Sequence, residues 1–415
     1  MNPIHNEPHS IGSELDLFLK HIESLKEVLP ITMLALHATG RSARKNLEDF
    51  VEKHANTDDS QSPPRLTIPA PHTRKFFKVK SRSENFELAN TLIPRSIFVA
   101  LVSQYDAYLG RLLRSLINSK PELLNPSDKT FTFAEAIAFP SILAIRDHVI
   151  EKEIEGFLRL SHLEHFKWME KRFNVPLTKD LLILPKFIEL TERRNLFVHA
   201  DGLVSSNYIS VCKSAGVNLS AEIIEGYQLV VSHPYFEESV SCLQVLGIML
   251  AHVLWRKILP DDRQKADQNL IETAYWLIDK SDYTSAIMLL DFVCTSFKVF
   301  HGDWYKSALI LNRAQAYKWH GNSAKCLEIL KAHDWSALED SLKLGNSVLT
   351  EDWDSSVEIM RRIGSNGVVK SSDYEDWPIF SNFRSTPEFL AAYQEIFGGE
   401  FSIKVKGANA EPPIN

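Results

Sequence analysis

PRSIFVALVSQYDAYLGRLLRSLI, residues 94–117, decides the fold class. Ile97, Leu101, Tyr105, Tyr108 and Leu112 recur at intervals of three and four and so fall on one side of a helix. Pro94 suits the first helical turn, and the helix is expected to end near Asn118. Moving toward the N-terminus, Leu15, Leu19, Ile22, Leu25 and Leu29 show the same spacing, ending at Pro30, and a second short helix is expected from Thr32 to His54. Between these and the opening stretch, NTDDSQSPPRLTIPAPHT (56–73) holds four prolines and reads as a loop. RKFFKVKSR (74–82), with five basic residues and no acid, reads as a short strand. Moving toward the C-terminus, long helices are expected over Pro140–Phe173, Thr178–His199 and Pro234–Ile258. Thr178 is the expected N-cap of the middle one, Pro185 a kink or division in it, and Gly202 its stop. Four or five long helices in 86–260, with β-branched alternation scarce, describe an all-α bundle.

After Asp261 the helices shorten and repeat. SDYTSAIMLLDF (281–292), GNSAKCLEILKA (321–332) and EDWDSSVEIMRR (351–362) can be superposed, each a turn residue or acid, small residues, then an apolar helix. Each follows another helix: TAYWLIDK (273–280), SALILNRAQAYKW (307–319) and ALEDSLKL (337–344). This pairing resembles the tetratricopeptide family, whose period is about 34 residues, although the spacing here is irregular. DWPIFSNFRSTPEFLAAYQEIFG (376–398) is similar to the segment that often follows such repeats.

Composition narrows the function classes. At 415 residues, 44% apolar and 24% charged, the chain has the make-up of two or three globular domains, not of collagen or long disorder. No basic stretch followed by an apolar block opens it, and its longest apolar runs are short for a membrane span. Cys212, Cys242, Cys294 and Cys326 form neither a CxxC nor a disulfide framework, so reduced thiols and a cytoplasmic location are expected, with no zinc site. No HExxH, Walker loop, GxGxxG or GxSxG occurs, which removes support for ATPase, dehydrogenase and α/β-hydrolase chemistry; no cofactor is expected. The net charge of −7 is unevenly placed: 30 basic and 30 acidic residues lie in 1–260, against 16 and 23 beyond.

The most specific stretch is ELTERRNLFVHADGLV (189–204), with Arg194-Asn195-x-x-x-His199 at the end of an apolar helix. Arg65–His72, Arg159–His165 and Arg313–His320 have similar spacing, but Asn follows the arginine only at 194. The segment and its helical context resemble the HEPN family, whose catalytic members carry Arg, four to six residues, then His. The resemblance covers about residues 86–260. It implies a helical bundle, a homodimer formed through it, and metal-independent cleavage of RNA. Histidine titrates near neutrality and can take the 2′-hydroxyl proton. A guanidinium, always charged, can hold the phosphorane oxygens. His199 is therefore the expected general base, Arg194 the transition-state cation and Asn195 the orienting residue, with Arg193 adjacent as a substrate contact. The expected products are a 2′,3′-cyclic phosphate and a 5′-hydroxyl. The alternative is a non-catalytic HEPN-like dimerisation module presenting a repeat scaffold.

Arg74, Lys75 and Lys78, with Arg65, Lys80, Arg82, Phe76 and Phe77 around them, are either RNA contacts or a solvated basic loop. Arg111 and Arg114 either line an RNA groove or solvate their helix; Tyr105 is expected in the packing and Asp106 in a local pair. His162 and His165 read as a surface pair, and Asn207 and Tyr208 as weaker substrate contacts. Six of the eight tryptophans lie after residue 260 and are expected in the repeat core or a partner groove, where the acidic balance favours a protein or peptide ligand. The expected organisation is a helical segment over 1–55, a basic, proline-rich linker over 56–85, the HEPN-like bundle over 86–260, tetratricopeptide-like repeats over 261–400 and a flexible tail over 401–415. On the same resemblance the chain would be a bacterial defence or toxin effector regulated by its repeats, with no membrane partner.

Overall fold

The computed structural model describes residues 10–58, 65–125, 130–179 and 181–402. The side chain of Arg65 and residues 403–415 of the expected tail lie outside what is described. The chain is all-α: sixteen α-helices and one two-stranded sheet occur among the described residues. Two compact units divide it, residues 1–259 and 260–415.

The first unit opens with two very long helices, α1 (Ile11–His54) and α2 (Thr73–Ser119). The expected break at Pro30 is absent, and Pro94 lies inside α2 instead of starting it. An interior proline removes one helical hydrogen bond, which local rules treat as a stop. Here antiparallel pairing overrides the local rule. Ile22, Leu29, Ala43 and Phe50 are buried at multiples of seven along α1, a coiled-coil seam, and an added Cβ on Gly40 would sit 3.5 Å from that of Phe86 on α2. The segment 74–82 is correspondingly helix, not strand, so residues 73–85 of the expected linker are the first turns of α2. The strands are β1 (Asn56–Asp58) and β2 (Arg65–Thr67), antiparallel, with Asn56 opposite Thr67.

The bundle is completed by α3 (Phe133–Ile137), α4 (Ile142–Leu158), α5 (His162–Phe173), α6 (Leu184–His199), α7 (Ser206–Ser214) and α8 (His233–Ile258). The helix expected over 140–173 is two, because Ser161 and Glu164 form a capping box that starts α5. Thr178 does not cap α6. Its amide and hydroxyl both donate to Glu170, and Pro185, in the first turn, opens the helix. α8 is buried without interruption from Cys242 to His252, so it is the central helix, with α1, α2, α5 and α6 packed around it. By length and composition Ala70–Ser119 and His233–Ile258 are each long and apolar enough to cross a membrane, beyond the uninterrupted runs visible in the sequence. The second is this buried centre.

Close approach to α8 depends on Gly247. Phe18 of α1 stacks on Tyr108 of α2 at 4.2 Å, and the Tyr108 hydroxyl donates to the Gly247 carbonyl at 3.1 Å. A Cβ on Gly247 would run into the Phe18 ring. Gly247→Ala is expected to destabilise the unit by about 1–3 kcal/mol, as overpacking does. Urea unfolding should show it, and adding Phe18→Leu should recover part of the loss.

The second unit is a series of helical hairpins: α9 (Arg263–Asp279) with α10 (Tyr283–Ser296), α11 (Asp303–Trp319) with α12 (Ser323–Lys331), and α13 (Asp340–Leu349) with α14 (Trp353–Ile363). The three turns are one structure. The middle residue has positive φ (Ser281 59°, Gly321 90°, Glu351 60°). The next, Asp282, Asn322 or Asp352, caps the second helix by accepting from the amide three residues on. Its own amide returns to Leu277, Tyr317 or Ser347 five residues back. Equivalent inward positions carry Leu289, Ile329 and Ile359, then Leu290, Leu330 and Met360, all buried. α15 (Ser371–Asp376) and α16 (Pro387–Phe397) close the unit around buried Tyr374, Phe380, Phe383 and Phe389. The six late tryptophans are all half-buried. The four cysteines are free, and burial pushes the Cys212, Cys294 and Cys326 thiols up to about 11, so they stay protonated.

Candidate functional site

The Arg194-Asn195-x-x-x-His199 segment forms the last turns of α6, and its neighbourhood is unusually well tied down. The chain leaves the helix through Ala200, Asp201 and Gly202. The Gly202 amide reaches back to the Leu196 carbonyl at 3.0 Å. Gly202 has φ 81°, and a Cβ there would lie within 2.9 Å of Phe197 and Gln228, so only glycine fits. Arg95 of α2 donates to the Asp201 carboxylate at 2.7 Å and carbonyl at 3.1 Å, with its guanidinium 5.4 Å from the Phe197 ring centre. Leu229 donates to the Gly202 carbonyl, and Leu196, Val204, Tyr208, Cys212 and Leu229 form a small core beneath. His199 ends the helix exposed to solvent, at a fixed place.

Arg193 and Arg194, adjacent in sequence, have opposite surroundings. Arg193 is buried. Its Nε donates to Glu189 at 2.7 Å, one η nitrogen donates to the Val230 carbonyl at 3.2 Å, and its guanidinium lies 3.8 Å from the Tyr235 ring centre. Glu189 also accepts from the hydroxyls of Tyr208 (2.7 Å) and Tyr235 (2.8 Å). Burial, then the Glu189 carboxylate, pushes both tyrosine hydroxyls up, so they remain donors. Arg193 and Tyr208, expected as substrate contacts, are thus committed to a closed network in the core.

Arg194 is half-buried and points the other way. One η nitrogen donates to Asn195 Oδ1 at 3.2 Å and the other lies 3.9 Å from Asp106 Oδ2 on α2. The second Asp106 oxygen is 2.9 Å from His162 Nε2, in the first turn of α5. Asp106 is therefore no local pair, and His162 and His165 are no surface pair. The His162 side chain is 11% exposed, and His165 is buried, stacked on Phe157 at 4.3 Å. Burial, then His162, holds the His165 imidazole down at about 4. Glu192 lies half-buried on the same side, its carboxyl raised by burial while His162 opposes the rise. One arginine, two histidines and two carboxylates from three helices thus meet at one place.

The other expected contacts are elsewhere. Arg74, Lys75 and Lys78 are exposed in the first turns of α2, with Phe77 exposed among them and Phe76 against Phe50. Lys78 and Asp106 are separated along α2 by about 40 Å at 1.5 Å per residue. Arg111 donates to Glu14 at 2.8 Å, and Arg114 holds Glu151 with two bonds of 2.9 and 2.6 Å, so both tie helices together. Asn207 is exposed. Among the described residues, no three His, Cys, Asp or Glu side chains gather to hold a metal ion. Asp106, His162 and Arg95 were the site residues least visible in the sequence; each acts on a helix other than its own. Compared with protein-family models, with curated proteins and with solved structures, the chain matches none.

Proposed function

We propose that the chain is a metal-independent endoribonuclease of the HEPN type. It works as a homodimer formed through the helical bundle, in which Arg194 holds the scissile phosphate and His199 takes the 2′-hydroxyl proton. The observation that carries this reading is the contrast within α6. Arg193 is closed into the core, while Arg194 and His199 are left toward the surface on a helix end pinned by Arg95 and Gly202. Along α6, Arg194 and His199 are about 7.5 Å apart and about 140° around the axis, so they do not share a face. A two-fold pairing, which sets His199 of one copy against Arg194 of another, answers that separation. Asn195, bonded to Arg194, fixes the guanidinium. The exposed Arg74, Lys75 and Lys78 extend the contact with a long RNA. Arg74 and Lys75 lie in the first turn of α2, where cations oppose the helix dipole, so helix stability does not account for their placement. The hairpin series, tetratricopeptide-like, binds a protein or peptide that controls cleavage, as in a bacterial defence or toxin effector in the cytoplasm.

The test is direct. Purified protein is incubated with RNA in EDTA beside Arg194→Ala and His199→Ala. Cleavage to 2′,3′-cyclic phosphate ends by the wild type, lost in both variants, is expected. Intact RNA under resting and activating conditions alike, or equal cleavage by the variants, overturns the reading. Intact RNA would favour a second one: the engagement of Arg194 with Asp106 and Asn195 also suits a non-catalytic dimerisation module.

A further inference from the structure

We propose that His162, oriented by Asp106, is the general acid that protonates the leaving 5′-oxygen of a phosphate held by Arg194. The proposal rests on the ribonuclease reading and deepens it. Cleavage by 2′-hydroxyl attack needs two proton transfers. The O2′–P bond forms as the 2′-hydroxyl loses its proton, and the P–O5′ bond breaks as O5′ gains one. In the two-fold pairing each Arg194 faces the one His199 of the other copy, which serves the first transfer.

The second imidazole lies beside Arg194. His162 and Arg194 address the two oxygens of one carboxylate, at 2.9 and 3.9 Å, so the imidazole and the guanidinium flank Asp106. An ionised carboxylate only accepts, so Asp106 fixes the proton of His162 on Nε2 and leaves Nδ1 to exchange the catalytic proton. The ring is held on its other sides. Ser161 and Glu164 cap the turn that carries it, and the buried Phe187 ring meets it edge-on at 5.6 Å. The groups around it are Asp106 from α2, Glu192 and Arg194 from α6 and His165 from α5. In the reaction the 2′-hydroxyl proton goes to His199 of the facing copy, and the His162 Nδ1 proton goes to O5′. Asp106 is a positioning residue.

The experiment uses full-length protein and two oligoribonucleotides of one sequence, with either oxygen or sulfur as the 5′ bridging atom at one linkage. A sulfur leaving group departs without protonation. His162→Gln is expected to slow the oxygen substrate by about 100-fold or more and to cleave the sulfur substrate near the wild-type rate. His199→Ala stays slow on both. Asp106→Asn should show the same rescue by sulfur, and it carries the test if His162→Gln fails to fold. Wild-type speed of both variants on the oxygen substrate, or slowing of folded variants that sulfur does not relieve, overturns the role of His162 alone. An inert wild type overturns it together with the ribonuclease reading.

Discussion

Arg193→Ala is expected to cost the first unit about 3–5 kcal/mol, the usual consequence of removing one partner of a buried ion pair. Glu189 is 4% exposed and Arg193 8%, so neither charge can turn to water. The carboxylate would keep the Tyr208 and Tyr235 hydroxyls at 2.7 and 2.8 Å, but these neutral donors do not cancel a charge. For a unit of this size the loss corresponds to a fall in Tm on the order of 10 °C. Thermal unfolding of the wild type, Arg193→Ala, Glu189→Gln and the double variant would measure it. The double variant should lose much less than the sum of the two, because each single change strands the other partner. A Tm unchanged in Arg193→Ala would show that Arg193 is not a core residue and would restore it as a candidate contact for substrate.

That contrast between neighbouring arginines shows what could be read in the sequence. The i,i+4 spacing of Glu189 and Arg193 is a helical ion pair in plain view. Its burial depends on Tyr208 and Tyr235, which reach it from α7 and α8. Asp106, His162 and Arg194 share no spacing rule at all, since each belongs to a different helix and only packing unites them. The cap at Ser161–Glu164 was legible as S-x-x-E but was hidden inside a longer apolar pattern. Pro30 and Pro94 misled for the opposite reason. Local rules put a helix end at Pro30 and a helix start at Pro94, and the antiparallel pairing of α1 and α2 carried both helices through. The repeat unit was legible because it is local. Three turns with the same cap and the same positive-φ position lie within a few residues of sequence each.

The first unit should also unfold in mild acid, because it buries neutral histidines. His252 lies on the central helix, fully enclosed, with no partner for either ring nitrogen among the described residues. Burial, then Arg256, holds it down at about 3, while burial, then His162, holds His165 at about 4. Both folded values lie below the ordinary value of about 6.5. Above that value neither state binds the proton, and these groups leave stability flat. Below it the unfolded chain takes up protons that the folded chain refuses, so stability falls as pH drops from about 6.5 toward the folded values. Each such histidine removes up to about 1.4 kcal/mol per pH unit in that window. His165, with the smaller shift, takes the smaller share. Together they remove up to about 5 kcal/mol by about pH 4.5, which brings the unfolding midpoint to about pH 4–5 for a stability at the low end of about 5–15 kcal/mol. Urea midpoints measured from pH 7 to pH 4 should trace the fall. His252→Phe and His165→Phe, which keep the stacks on Trp255 and Phe157, should flatten it singly and more so together. A wild-type slope that survives in the double variant would assign the acid sensitivity to other groups and refute the linkage.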